Sequence, residues 1–291
     1  MFKKIGIFLQ MIKFEHTVFA LPFAFMGALL GSVVMNDSLP SWSQIGWIVI
    51  AMFGARSAAM GLNRLIDRIS DAKNPRTSGR AIPAGLLKIG EVVIFIGISF
   101  FLLFWAAFKL NSLSAKLLPI AVFLLVIYSF TKRFTWACHL ILGLTIALAP
   151  LGGWVAVTGS VNWTSMVFYF TIVFWTAGFD VIYSCQDVEF DLKEGLKSIP
   201  VRFGVQGALV IARVFHILTA IGFVSLLFLT DLSWWYVAGM ILAYIILFYE
   251  HYIVSPIDLS RLQTAFFTMN GVLSIVVFSF TLIDLVVHFK K

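Results

Sequence analysis

Charge is what this chain has least of. Asp, Glu, Lys and Arg make up 12% of its 291 residues, about half of the roughly 25% found in soluble domains, which excludes an ordinary soluble globule. Cysteine is nearly absent: Cys138 and Cys185 stand alone without CxxC spacing. That excludes a disulfide framework, and both cysteines, near helix ends expected on the cytoplasmic side, read as packing residues. His16, His139, His216, His251 and His288 are scattered over different segments with no repeated metal-ligand spacing, so they read as interfacial or core residues. The first apolar run is flanked by motif-like polar residues and not by a small-residue cleavage site, so it does not read as a removable signal peptide.

What the chain has instead is apolar length. Mean hydropathy is +0.98, with 60% hydrophobic and 16% aromatic residues. Crossing the hydrocarbon takes about 20 largely apolar residues in a helix, and nine segments qualify, at approximately 17–35, 42–66, 90–109, 117–131, 136–158, 164–184, 207–229, 233–254 and 266–288. The expected fold is therefore an all-α polytopic membrane protein of nine transmembrane helices, one domain over 1–291, in contact with membrane lipids.

The loops give the orientation, because Lys and Arg in short loops favour the cytoplasmic side. Lys3, Lys4 and Lys13 precede the first span, Arg64 to Lys88 follow the second, Lys132 and Arg133 the fourth, Lys193 to Arg202 the sixth and Arg261 the eighth. The alternate loops carry only Lys109 and Lys116, and Lys290 and Lys291 fall outside as an exception. The net charge of +7 is thus one-sided. Topology and attraction to anionic headgroups account for it, and nothing supports nucleic-acid binding.

Against this apolar background, "NRLIDRISDAKNPRT" at 63–77 stands out. Asn63, Asp67 and Asp71 fan over about 80° of one helix face and present three oxygens to one volume, which suits a hard cation such as Mg²⁺. Arg56 lies one heptad before Asn63, inside a span among Gly54, Ala55, Ser57 and Ala58. An Arg there needs a cavity or a partner. The sixth span ends alike: Asp180, Asp187 and Asp191 project within roughly 40° of one another. Each ladder is followed by a basic loop, with Lys73, Arg76 and Arg80 after the first and Lys193, Lys197 and Arg202 after the second. Both loops share an Ile-Pro step, Ile82-Pro83 and Ile199-Pro200, which hints at an internal duplication. Two acidic ladders with several cations fit Mg²⁺ ions carrying a diphosphate, with Lys and Arg neutralising the remaining charge.

The motifs are specific enough to resemble a family. Asn63-x3-Asp67-x3-Asp71 followed by Asn74-Pro75-Arg76-Thr77, then Tyr183-x3-Asp187-x3-Asp191 and Lys197-Ser198, is similar to the UbiA family of intramembrane aromatic prenyltransferases over essentially the full chain. Its 4-hydroxybenzoate polyprenyltransferase branch is the most similar. The resemblance implies a helical bundle around a central cavity, capped on the cytoplasmic side by the two polar loops and open sideways to lipid. It implies one Mg²⁺ on Asn63, Asp67 and Asp71 and a second on Asp187 and Asp191, with Asp180 and Tyr183 as further members. Tyr128 and Lys132 of "YSFTKRF" match a pair near the diphosphate; Arg133 stands beside them, and Arg76 and Lys197 are further diphosphate contacts. Arg56, with Asn63 nearby, would meet the acceptor's carboxylate.

The implied reaction is Mg²⁺-dependent transfer of a polyprenyl group from an allylic polyprenyl diphosphate to a ring carbon of an aromatic acid of the 4-hydroxybenzoate type, for quinone biosynthesis in the bacterial cytoplasmic (inner) membrane. The alternative acceptor is a dihydroxynaphthoate, for menaquinone biosynthesis. A cation transporter would also place Asp at membrane-embedded helix ends, but not among so many Lys and Arg. An alcohol phosphotransferase would need a compact Asp-Gly run, which is missing. Glu15 with His16, and Glu250 with His251, read as interfacial or helix-end pairs; Asp284 lies far from the site, and Trp42, Trp47, Trp234 and Trp235 read as belt residues.

Overall fold

Hydrocarbon offers backbone N–H and C=O groups no water to bond, so a spanning chain must satisfy them within itself. This chain does so with helices. The computed structural model describes residues 2–13 and 17–289; Glu15, His16, Lys290 and Lys291 lie outside the described residues. In chain order the helices are α1 (Phe2–Met11), α2 (Thr17–Asn36), α3 (Trp42–Ile66), α4 (Arg68–Lys73), α5 (Ile89–Leu110), α6 (Ser112–Ile127), α7 (Cys138–Ile146), α8 (Leu148–Thr158), α9 (Trp163–Ser184), α10 (Val188–Lys193), α11 (Ile199–Leu229), α12 (Trp234–Tyr252) and α13 (Asn270–Phe289). A 3₁₀ turn at Tyr128–Arg133 follows α6, another at Cys185–Asp187 follows α9, and a π-turn at Thr264–Met269 leads into α13. The chain is an integral membrane protein.

Among the described residues, seven segments are long and apolar enough to cross a membrane: Trp42–Ile66, Ile89–Leu110, Ser112–Arg133, Cys138–Thr158, Trp163–Lys193, Ile199–Leu229 and Thr264–Val287. The two other segments expected from hydropathy fall on α2, with its apolar run Ala20–Asn36, and on α12, which ends in the polar Glu250–Tyr252. Boundaries moved where local chemistry outweighs hydropathy. The expected span at 207–229 starts eight residues earlier in α11, because the buried Ser198 side chain caps Val201 N–H and Pro200 suits the first turn. Inside that helix Gly204 takes φ 70°, a left-handed conformation that favours glycine, and the helix kinks there.

Position in the bundle follows from side-chain size and polarity. α9 is central: two thirds of its apolar window is buried, against 17% for α6 at the periphery. Its Phe168, Ile172 and Trp175 pack with Phe23, Met26 and Leu30 of α2, Trp154 of α8 and Phe223 of α11. α2 and α8 approach through glycine. A Cβ at Gly27 would overlap the Pro150 carbonyl and one at Gly153 the Ala24 carbonyl, the small-residue contact that brings membrane helices close. Outside, Trp42, Trp163 and Trp234 are largely exposed, as interfacial anchors are. Asp284, buried, accepts hydrogen bonds from Ser233 N–H at 3.1 Å and Tyr236 N–H at 2.9 Å, so it anchors the start of α12 at the end opposite the acidic motifs.

Candidate active site

The two acidic motifs share one local construction. A continuous helix was the expected carrier of each ladder, but both helices break at the middle carboxylate. α3 ends at Asp67 (φ −89°, ψ 3°) and α4 runs six residues from there. α9 passes through its 3₁₀ turn to Asp187 (φ −101°, ψ 1°), and α10 again runs six residues. The bridge region of backbone space, which both aspartates occupy, is sparsely populated and common at functional positions. Backbone bonds survive the first break, with Asp67 N–H on the Asn63 carbonyl at 2.9 Å and Asp71 N–H on the Asp67 carbonyl at 2.7 Å. Each short helix carries a buried carboxylate, Asp71 on α4 and Asp191 on α10.

Each carboxylate holds one basic side chain. Arg76 donates from Nε to Asp187 Oδ1 at 3.0 Å and from Nη2 to Oδ2 at 2.8 Å, a bidentate pair between the two loops. Arg80 pairs with Asp71 at 2.6 Å. Lys132 and Arg133, adjacent in the turn after α6, part to opposite motifs: Lys132 to Asp191 at 3.2 Å and Arg133 to Asp67 at 3.0 Å. Asn63 donates to Asp67 Oδ2 at 2.8 Å and accepts from Arg64 at 3.1 Å. Burial pushes the Asp67 carboxyl up to about 6, a rise that nearby Arg133 opposes. A further bridge, Lys73–Glu194 at 2.7 Å, ties the ends of α4 and α10 at the surface; exposed, it adds little stability.

Asn63, Asp67, Asp71, Asp180, Asp187, Asp191, Arg56, Arg76, Tyr128, Lys132, Arg133 and Tyr183 all line one cavity of about 1270 Å³, larger than the roughly 300–1,000 Å³ of ordinary small-molecule sites. Below the charged end its wall is apolar, with Ile48, Met52, Leu103, Leu118, Leu125 and Leu148 among the lining residues. Tyr128 donates its hydroxyl to the Ala59 carbonyl at 2.9 Å. Lys197 departs from expectation. It is not among the lining residues; its Nζ donates to the Phe134 carbonyl at 3.3 Å, and its backbone N–H to the Lys132 carbonyl at 2.7 Å. Its contribution is to hold the Lys132 turn from behind.

Three participants were not assigned from the sequence. Arg80 was only one basic loop residue among several, and its pairing with Asp71 depends on how the loop folds back. His139 read as a scattered core histidine; it is fully buried and bonds Asp180 Oδ2 through Nδ1 at 2.6 Å. Its Nε2 accepts Ile199 N–H at 3.3 Å, so Nδ1 carries the proton and donates to Asp180. Phe266 stacks on Tyr183 with ring centroids 4.0 Å apart. Neither His139 nor Phe266 has a local sequence signal. Glu250 and His251, expected as a pair, part company: Glu250 bonds Asn270 and His251 bonds His216, at 3.1 and 2.9 Å. Cys138 and Cys185 are buried free thiols.

Among the described residues no three His, Cys, Asp or Glu side chains converge closely enough to form a preformed metal cluster; the four motif carboxylates are each paired with a Lys or Arg. The donor set still fits a hard divalent ion: the four motif carboxylates, with Asp180 beside them, line one cavity, and Asp71 Oδ2 is buried without a hydrogen-bond partner. An orphaned buried carboxylate oxygen is costly unless a cation or donor reaches it.

Known proteins resemble this chain in sequence and in fold. The model of the UbiA prenyltransferase family matches residues 20–272. A 4-hydroxybenzoate octaprenyltransferase of Vibrio campbellii is 35% identical over 182 residues, 62% of this chain and 63% of that protein. The mitochondrial 4-hydroxybenzoate polyprenyltransferase of Arabidopsis thaliana is 35% identical over 205 residues, 70% of this chain and 50% of that protein. The chain thus spans between half and just under two thirds of the length of these relatives. Among solved structures, the apo form of a UbiA homolog from Aeropyrum pernix K1 superposes with a TM-score of 0.84 at 27% identity, covering 93% of this chain and 98% of that one. A UbiA homolog from Archaeoglobus fulgidus bound to GPP and Mg²⁺ shares the fold at a TM-score of 0.76 and 19% identity, covering 96% of this chain and 99% of that one.

Proposed function

The chain belongs to the UbiA prenyltransferase family, and from that premise we propose that it transfers a polyprenyl group from an allylic diphosphate to a ring carbon of an aromatic acid of the 4-hydroxybenzoate type, in quinone biosynthesis. One observation carries the reading. Four carboxylates from two sequence-distant motifs, each neutralised by its own Lys or Arg, stand at one end of a single apolar cavity. A cation pathway has no use for that many competing bases; a diphosphate bound with divalent ions needs both signs of charge.

Asn63, Asp67, Asp71, Asp187 and Asp191 would hold Mg²⁺. Bound there, Mg²⁺ supplies charge that stabilises the departing diphosphate. The chain's own contribution begins with its basic side chains. Arg76, Arg80, Lys132 and Arg133 hold the acidic motifs in place without ligand, and they are poised to turn from carboxylate to diphosphate oxygens. That exchange trades one charge-assisted contact for another, so its net cost is small. Ionisation of the C–O bond leaves an allylic cation, and water must be kept from it. The leucine- and methionine-lined wall does this and strengthens each polar contact in the site.

Arg56 lines the same cavity from within α3. Its planar guanidinium suits an aromatic carboxylate, which would leave the ring carbon ortho to the phenol oxygen to attack the allylic carbon. Loss of that carbon's proton then restores aromaticity. The positively charged loops at this end support an orientation toward the cytoplasmic face.

The test is an acceptor panel with one labelled prenyl diphosphate. Release of diphosphate should require both Mg²⁺ and an aromatic acid, with 4-hydroxybenzoate preferred over the dihydroxynaphthoate. Diphosphate release indifferent to the acceptor, or cation flux without it, would refute the proposal.

A further inference from the structure

Glu250 is an acidic residue fully buried near the end of α12. Among the described residues its hydrogen-bond partner is Asn270, whose Nδ2 donates to Glu250 Oε1 at 3.1 Å. The orientation of the Asn270 amide is fixed by its other neighbours, since Nδ2 also reaches the carbonyls of Ala265 at 3.0 Å and Phe266 at 3.2 Å. Flipping it would set an oxygen against three acceptors. Two buried atoms are then left over, Glu250 Oε2 and Asn270 Oδ1, and each lacks a partner.

These two orphans belong to the same two groups that already share one bond. A carboxyl and a primary amide close into a cyclic pair when the amide N–H donates to one carboxyl oxygen and the carboxyl O–H donates to the amide oxygen. In that arrangement one proton on Oε2 would satisfy both. An ionised Glu250 would instead leave a buried charge beside an acceptor oxygen, the arrangement that buried groups avoid by neutralising.

The pair sits where the backbone most needs it. The π-turn at Thr264–Met269 interrupts the ordinary helical ladder, and Asn270 returns donors to two of its carbonyls. Held in this way, the turn presents Phe266 to Tyr183 as a stacked pair at 4.0 Å. Tyr183 in turn accepts from Arg76 Nη1 at 3.4 Å, with the guanidinium carbon 5.8 Å from its ring centroid. Arg76 is the bidentate partner of Asp187. A second strut runs alongside, Gln263 Nε2 to Gln186 Oε1 at 3.4 Å.

We propose that Glu250, as a neutral acid, and Asn270 are positioning residues that lock the π-turn and, through Phe266 and Tyr183, set where the Arg76 guanidinium stands to receive the diphosphate. The locking of the turn stands on the hydrogen bonds alone; the role toward diphosphate rests on the prenyl-transfer reading.

Three variants test it in the full-length protein. Glu250→Gln keeps a donor for Asn270 Oδ1 and removes the ionisable proton, so it should leave thermal stability and both KM values within about twofold of wild type. Asn270→Leu should break the pair, and Phe266→Leu should remove the stack while leaving the pair intact. Both should raise the KM for prenyl diphosphate roughly two- to tenfold, the range an aromatic pair is worth, with the KM for the aromatic acid unchanged. Infrared difference spectra of the wild type should contain a protonated-carboxyl C=O band that Glu250→Gln deletes.

Absence of that band, or a Glu250→Gln variant as damaged as Asn270→Leu, would overturn the neutral pair. Equal rises in both KM values, or losses in kcat alone, would overturn the positioning role and leave packing. A wild type without acceptor-dependent diphosphate release would remove the prenyl-transfer reading and the diphosphate role together. The infrared band and the melting temperatures would still decide the pair by themselves.

Discussion

The bidentate grip of Arg76 on Asp187 makes a prediction with two opposite signs. Arg76 occupies both oxygens of a carboxylate that the metal would need, so the guanidinium and the divalent ion compete before prenyl diphosphate arrives. Hydrogen bonds to charged groups contribute about 1.5–3 kcal/mol. The Arg76 side chain is 35% exposed and Asp187 10%, so solvent screening trims the grip to about 1–2 kcal/mol. At 1.4 kcal/mol per tenfold that is a factor of roughly 5–30.

Arg76→Gln should therefore bind Mn²⁺, read by electron paramagnetic resonance in lipid nanodiscs without prenyl diphosphate, roughly 5–30 times more tightly than wild type. The same variant should bind prenyl diphosphate more weakly, because the guanidinium is lost as a contact for the leaving group. Arg76→Lys should fall between them on both measures, since a point charge replaces a planar fork. Metal affinity that is unchanged or weaker in Arg76→Gln would refute the competition, and with it the assignment of Asp187 as a ligand.

Asp67→Ala and Asp191→Ala should abolish prenyl transfer while the protein still inserts and elutes as wild type; near-normal turnover of both at limiting Mg²⁺ would remove the two-motif site. Arg56→Ala should weaken the aromatic acid far more than the prenyl diphosphate, and a decarboxylated phenol should cost the wild type much and this variant little further, since both changes delete one contact; additive losses would move Arg56 elsewhere. Cysteines placed at the exposed Ser78 and Lys193 should react with an impermeant thiol reagent from the same side of sealed vesicles, and labelling from opposite sides would separate the two loops.

What could be read without a fold was whatever repeats at short range. Hydropathy located a helix at every expected span, because each must bury its own backbone bonds wherever it packs. The i+4 spacing of Asn63, Asp67 and Asp71, and of Asp187 and Asp191, survived as shared lining of one cavity, and the heptad from Asn63 to Arg56 kept that arginine on the same wall. Even the matching design of the two motifs was visible, in their equal spacing and trailing basic loops.

Partnership was not visible. Arg76 finds Asp187 across 111 residues and Lys132 finds Asp191 across 59, while Arg133, next in sequence, turns to the other motif. Lys197 had the right charge in the right loop and still points away, because its backbone is committed to the Lys132 carbonyl. The His139–Asp180 contact and the bond that Asn270 makes to Glu250 likewise join different helices. Membrane insertion and helix spacing are set by the local sum of side-chain transfer energies, which the sequence states outright. Which charge meets which carboxylate is set by how the ends of α3, α6 and α9 come together in space, and only the packed bundle decides it.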